Sequence, residues 1–135
     1  MSDQRILFEL VMPLRWRDLD AFNHVNNGTF LTYLEETRIQ WLASLAGAWR
    51  NATTSPILAA LNINYRRQLA WPGEIVVELY AERLGTTSLT LGQRIVDARD
   101  RHVLYADGSA VLVWIDIASG RPVALPDAIR KACVV

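Results

Sequence analysis

Asp18, Asp20, Asn23, His24, Asn26 and Asn27 fall within ten consecutive positions, the densest polar cluster of the chain. Directly after them Phe30, Tyr33, Leu34, Thr37, Trp41, Leu42 and Leu45 recur at helical spacing over about four turns. Asn26 or Asn27 would cap that helix, and Gly47 would end it. The first turn of a helix carries backbone N–H groups without intrahelical acceptors and with partial positive charge. A carboxylate just upstream, with a polarisable carbonyl held between the two, has the parts needed for acyl transfer. The N–H groups would stabilise an oxyanion and the carboxylate would supply a nucleophile or a base. The same Asp and Asn residues are also good turn and capping groups. Local chemistry leaves both readings open, and turn-and-cap is the simpler.

Residues 5–16 read as a strand placed at an edge or a bulge by Pro13. Residues 48–56 read as a loop, and four strand-like segments follow. They are Ile57–Arg67, Glu74–Leu84, Ser88–Val96 and His102–Ile117. In Glu74–Leu84 the apolar Ile75, Val77, Leu79 and Ala81 share one face, with Glu74, Glu78, Tyr80 and Glu82 mostly on the other, and in Ser88–Val96 Leu89, Leu91 and Ile95 share a face. Trp71-Pro72-Gly73, Gly85-Thr86-Thr87 and the run Asp97–Arg101 are the turns between them. A short helix begins at Pro126-Asp127. Hairpin turns make the strands antiparallel, and the long helix needs an apolar cover. The expected fold is α+β, an antiparallel sheet wrapped around one long helix. The apolar run Ala110–Ile115 suggests that a second subunit covers part of the sheet.

The chain has 135 residues, 51% hydrophobic and 21% charged, which fits one domain over 1–135 and excludes disorder. Fourteen basic residues balance fourteen acidic ones. A nucleic-acid binder would be strongly basic, so no nucleic-acid partner is expected. The opening Met1–Arg5 lacks the layout of a secretory leader, and no apolar run reaches the length of a membrane span. The expected setting is cytoplasmic, with no membrane partner. The lone Cys133 permits no internal disulfide and reads as incidental. The two histidines, His24 and His102, stand in no metal-ligand spacing, so neither metal nor cofactor is expected. Glycine-rich phosphate loops and the G-x-S-x-G turn of serine hydrolases do not occur.

The string Arg17-x-x-Asp20-x-x-Asn23-His24-Val25-Asn26-Asn27, followed by Phe30-x-x-Tyr33-x-Glu35-x-x-Arg38, closely resembles the active-site segment of the hotdog-fold acyl-CoA thioesterases of the 4-hydroxybenzoyl-CoA thioesterase-like group. Downstream, Ile63-Asn64-Tyr65, Trp71-Pro72-Gly73-Glu74-Ile75, Gly85-Thr86-Thr87-Ser88 and Pro126-x-x-Ile129 resemble later segments of that family in the same order. The resemblance implies hydrolysis of an acyl-CoA to free acid and CoA by a homodimer or homotetramer with its cleft between subunits. It assigns catalysis to Asp20 and to the Asn27 backbone N–H. His24 and Asn26 would shape the pocket, Tyr33 and Tyr65 would line an acyl channel, and Arg67 and Ser88 would contact substrate. Asp18 reads as a local hydrogen-bonding or solvated residue, and Glu35 and Arg38 as a structural pair. Asn23 stands where the family usually has Gly, which suggests a backbone with positive φ that Asn also tolerates. That departure leaves room for an alternative, a non-catalytic acyl-CoA binding module or regulatory hotdog protein.

Overall fold

The computed structural model describes residues 4–134. Met1, Ser2 and Asp3, on which the leader expectation partly rests, lie outside the described residues. Five strands and two α-helices follow in the order β1 (Ile6–Pro13), α1 (Asn27–Ser44), β2 (Thr54–Tyr65), β3 (Glu74–Leu84), β4 (Ser88–Asp97), β5 (Leu104–Asp116) and α2 (Asp127–Cys133). A short 3-10 turn, Trp16–Asp18, stands between β1 and α1. All five strands form one antiparallel sheet in the order β1-β3-β4-β5-β2. Pro13 therefore sits on an edge strand, where its missing N–H leaves no rung of the sheet empty.

The inward face of the sheet is as read from the sequence, although Val76 and Glu78 on the other face of β3 are buried as well. Ile75, Val77 and Leu79 of β3 and Leu89, Leu91 and Ile95 of β4 are fully buried. They face α1, which turns Phe30, Tyr33, Leu34, Thr37, Trp41 and Leu42 inward at three- and four-residue steps. The core falls into two parts along the helix. Phe30, Tyr33 and Leu34 pack with Leu14, Val25 and Leu69 at its start, and Trp41 and Leu42 pack with Trp114 and Ile129 at its end.

Arg38 is buried on this inner face. It donates from Nη1 to Gln93 Oε1 of β4 at 2.9 Å, and Gln93 Nε2 donates to the Leu34 carbonyl at 3.0 Å. The expected Glu35–Arg38 pair is not a contact ion pair among the described residues, although the Glu35 charge still acts on Arg38; the guanidinium's hydrogen bond links helix to sheet instead. The reason is rotational: residue 38 continues the inward stripe, whereas Glu35 lies on the exposed flank.

The helix ends at Ser44, three residues before Gly47, whose φ of 93° belongs to the following loop. β2 begins at Thr54, earlier than the sequence suggests, because Thr54 and Ser55 pair with Asp116 and Ile115. β2 is a twelve-residue strand with β5 on one side only. Its Ile57, Leu58 and Leu61 are 46%, 47% and 37% exposed, so a long apolar edge is left bare in the single chain.

Candidate active site

The segment between β1 and α1 is a closed loop rather than a loose connection. Leu14 donates its N–H to the Gly73 carbonyl at 2.9 Å and fixes the loop's entry. The chain then doubles back on itself. Asn26 N–H donates to the Asp18 carbonyl, Asp20 N–H to the His24 carbonyl and Asn23 N–H to the Asp20 carbonyl, each at 3.0 Å. Leu19 and Val25 form an isolated antiparallel bridge between these rungs. Val25 N–H donates to the Leu69 carbonyl at 2.7 Å, which fastens the loop to the segment after β2. The reversal at the tip needs a left-handed residue, and Asn23 supplies it with φ of 62°. Asn reaches that region more readily than other residues bearing a Cβ, so it serves where glycine would.

The loop ends in the cap of α1. Asn26 is the N-cap, and its Oδ1 accepts the Gly28 N–H at 2.8 Å. Its carbonyl accepts the Thr29 N–H at 2.9 Å. The Asn27 N–H is taken by no acceptor among the described residues. This amide is therefore a free donor at the positive end of an eighteen-residue helix.

Asp20 and Asn27 line one cavity of about 400 Å³, together with Phe22, His24, Phe30 and Tyr65. Arg66, Arg67 and Gln68 complete the polar side of its wall. Asp20 Oδ1 accepts the Phe22 N–H at 2.9 Å, closing a small turn. Its Oδ2 has only Asn26 Nδ2 at 3.5 Å, the outer limit of a hydrogen bond. One carboxylate oxygen thus orients the group, and the other is loosely held. Tyr65 donates its hydroxyl to the Asn27 carbonyl at 2.8 Å and packs edge-on against Phe30, ring centres 5.1 Å apart. Arg66 is committed to Asp107 at 3.1 Å. The Arg67 side chain makes no hydrogen bond among the described residues and is exposed at the cavity.

Of the residues singled out in the sequence, Asp20, His24, Asn27, Tyr65 and Arg67 meet at this cavity. Asn26 stands beside it as the helix cap. Tyr33 is buried on the other side of the loop, where its hydroxyl donates to Asp18 Oδ2 at 2.7 Å. Ser88 pairs with Val113, which pairs with Ile57, so Ser88 lies level with the start of β2 while the cavity lies at its end. Asp18, expected to be local or solvated, is 6% exposed. Burial opposes its charge, but hydrogen bonds from Tyr33 and Arg15 outweigh that and hold its carboxyl below the ordinary range. Burial and the neighbouring Asp18 carboxylate push the Tyr33 hydroxyl well above its usual range, so it stays protonated as a donor. Sequence reasoning passed over Phe22, which is 81% exposed at the cavity. A large apolar side chain inside a polar turn is the signal that could have found it.

Comparison with known proteins decides the family. The family model described as the thioesterase-like superfamily matches residues 14–133. The chain belongs to the thioesterase-like superfamily. Membership makes it a thioester hydrolase, and its sheet wrapped around α1 is the hotdog fold. Among curated proteins it is 30% identical to the long-chain acyl-CoA thioesterase FadM of Escherichia coli, over 89% of this chain and 92% of FadM. Among solved structures it resembles the PA2801 protein of Pseudomonas aeruginosa, with a TM-score of 0.89 and 37% identity over 96% of this chain and 100% of that one. It also resembles a thioesterase from Thermus thermophilus complexed with coenzyme A and Zn. There the TM-score is 0.80 and the identity 30%, over 97% of this chain and 100% of that one.

Proposed function

We propose that this thioesterase hydrolyses acyl-CoA to free acid and coenzyme A, with Asp20 as nucleophile or general base and the Asn27 N–H as oxyanion donor. One observation carries this reading: Asp20, with one loosely held carboxylate oxygen, and Asn27, with an unpaired helix-terminal amide, line the same cavity. A thioester carbonyl seated against the Asn27 N–H gains a hydrogen bond that strengthens as negative charge develops on its oxygen. The dipole of α1 acts in the same direction. Asp20 then follows one of two routes. Direct attack on the carbonyl carbon forms an acyl–aspartyl anhydride and expels coenzyme A as its thiolate, after which water cleaves the anhydride. Alternatively, Asp20 takes a proton from a water that attacks the same carbon. A thiolate leaves readily, so neither route needs a strong acid.

Tyr65 and His24 form walls of the acyl end, and Asn26 holds the amide in place from the cap. Arg67, exposed at the cavity, suits the phosphates of the nucleotide. The bare edge of β2 fits a second copy of the chain, antiparallel β2 against β2, as a homodimer. Such pairing would set the start of one β2, level with Ser88, beside the end of the other, which carries Tyr65. Ser88 would then serve the partner's cavity. The single domain over residues 1–135 would work in the cytoplasm; no helix among the described residues is long and apolar enough to cross a membrane.

The rival binding-module reading drew on Asn23 in the place of glycine. With Asn23 at φ of 62° the turn is formed, which takes away that motive. The test is thiol release from short, medium, long and aromatic acyl-CoAs. Release from at least one class, abolished by Asp20→Ala, supports the reading. Binding without release over hours defeats it.

A further inference from the structure

We infer that Asp18, acting through Tyr33, is the positioning residue that sets the spacing between the Asp20 carboxylate and the Asn27 amide, an inference that rests on the roles proposed for those two groups. The Asp18 main chain and side chain hold two different structures. Its carbonyl accepts the Asn26 N–H at 3.0 Å, the rung at the open end of the hairpin, with Asp20 on the tip side of it and Asn27 just beyond it. Its carboxylate accepts the Tyr33 hydroxyl at 2.7 Å and the Arg15 N–H at 3.1 Å. Tyr33 belongs to α1, the rigid element whose first residue is Asn27. Asp18, Tyr33, Asn27 and Asn26 thereby close a ring in which every link is a helix, a hydrogen bond or a peptide. Asp20 hangs two residues from one member of that ring, and the free amide is on another.

A solvated turn would need none of this. Burying a carboxylate costs free energy unless it is well bonded, and an apolar pair would fill the same space more cheaply. What the bond from the neutral Tyr33 hydroxyl to the ionised Asp18 adds is direction, because a charge-assisted bond of 2.7 Å fixes where its two ends lie. The Arg15–Asp18 ion pair adds little of that, since the Arg15 side chain is 63% exposed.

The test uses Tyr33→Phe, Asp18→Leu and Asp18→Asn in the full chain, read by backbone amide NMR and by acyl-CoA turnover. Tyr33→Phe should shift the amides of residues 19–28 while those of β3 and β4 stay in place. Its kcat should fall about tenfold to a hundredfold with KM nearly unchanged, as expected for misplaced reacting groups. Asp18→Asn, which keeps an acceptor for Tyr33, should recover part of the kcat lost in Asp18→Leu. The inference is overturned if Tyr33→Phe leaves amides 19–28 as in the parent. It is equally overturned if sheet amides shift as much as the loop's, if kcat is unchanged, or if Asp18→Asn is no better than Asp18→Leu. A parent chain that releases no thiol removes the catalytic reading alone; the amide shifts then decide the positioning role by themselves.

Discussion

The Tyr65 hydroxyl donates to the Asn27 carbonyl at 2.8 Å, so the last residue of β2 is fastened to the first residue of α1. The bond joins positions 38 apart in sequence and brings the bare edge strand to the mouth of the cavity. Tyr65→Phe keeps the ring against Phe30 and removes only this bond. A hydrogen bond of this kind contributes about 0.5–1.5 kcal/mol, so turnover of acyl-CoA should fall about two- to tenfold and the melting temperature by roughly a few degrees. Steady-state kinetics beside thermal unfolding measure both. Full activity in the variant would show that the fastening does not matter to the amide.

Asp20→Asn preserves the acceptor for the Phe22 N–H and therefore the local turn. It removes the charge that attacks or accepts a proton. Thiol release should drop about 10²- to 10⁴-fold while the circular dichroism spectrum stays that of the parent. A variant with half the parental rate would refute the role given to Asp20.

Stability should depend on pH at both ends through the Asp18–Tyr33 pair. The Asp18 carboxyl is held below its ordinary range, so its contribution is present above about pH 4 and fades as the pH falls through its folded-state value. The Tyr33 hydroxyl is raised, so its contribution is present below about pH 10 and is lost as the pH rises through its folded-state value. Arg15 and Glu36 line a second, small cavity together with Asp18 and Tyr33 and are the other charged groups around the pair. Denaturant titrations of parent and Tyr33→Phe across pH 3–11 should show the difference between them narrowing at both extremes. A constant difference at all pH values would contradict the assignment.

Ile57→Lys places a charge on the uncovered edge of β2, where the strand is 46% exposed at that residue. Against the partner's strand the lysine would lose water without gaining a counter-charge, which blocks strand pairing. Light scattering should then give a monomer, with folded circular dichroism and lost thioesterase activity. A fully active monomeric parent would rule out a site completed by a second copy.

Two buried or half-buried glycines separate backbone from side-chain crowding. A Cβ at Gly108 would lie 2.1 Å from the Asn62 carbonyl oxygen, part of the β2–β5 ladder. At Gly92 it would lie 2.3 Å from the Tyr80 ring, the far end of a side chain that can swing away. Gly108→Ala should therefore lower stability by about 1–3 kcal/mol and more than Gly92→Ala does. Urea unfolding of both variants ranks them, and the reverse order would contradict the account.

Much of this was legible in the linear chain because it depends on local periodicity. The inward stripe from Phe30 to Leu42, the alternation of Ile75, Val77 and Leu79, and the left-handed Asn23 each follow from the geometry of one element. The grouping of Asp20 with Asn27 was also legible, since only six residues of turn-forming sequence separate them. What only the tertiary structure decided are the partners brought from far along the chain. Arg38 could have met Glu35 one turn away, yet packing turned it inward to Gln93 of β4. Asp18 looked like one more turn residue until the folding of α1 against β1 placed the Tyr33 hydroxyl on it. Tyr65 reaches Asn27 only because the sheet curls around the helix. Spacing along a chain determines which side chains share a face, whereas which face meets which is settled by the packing of whole elements.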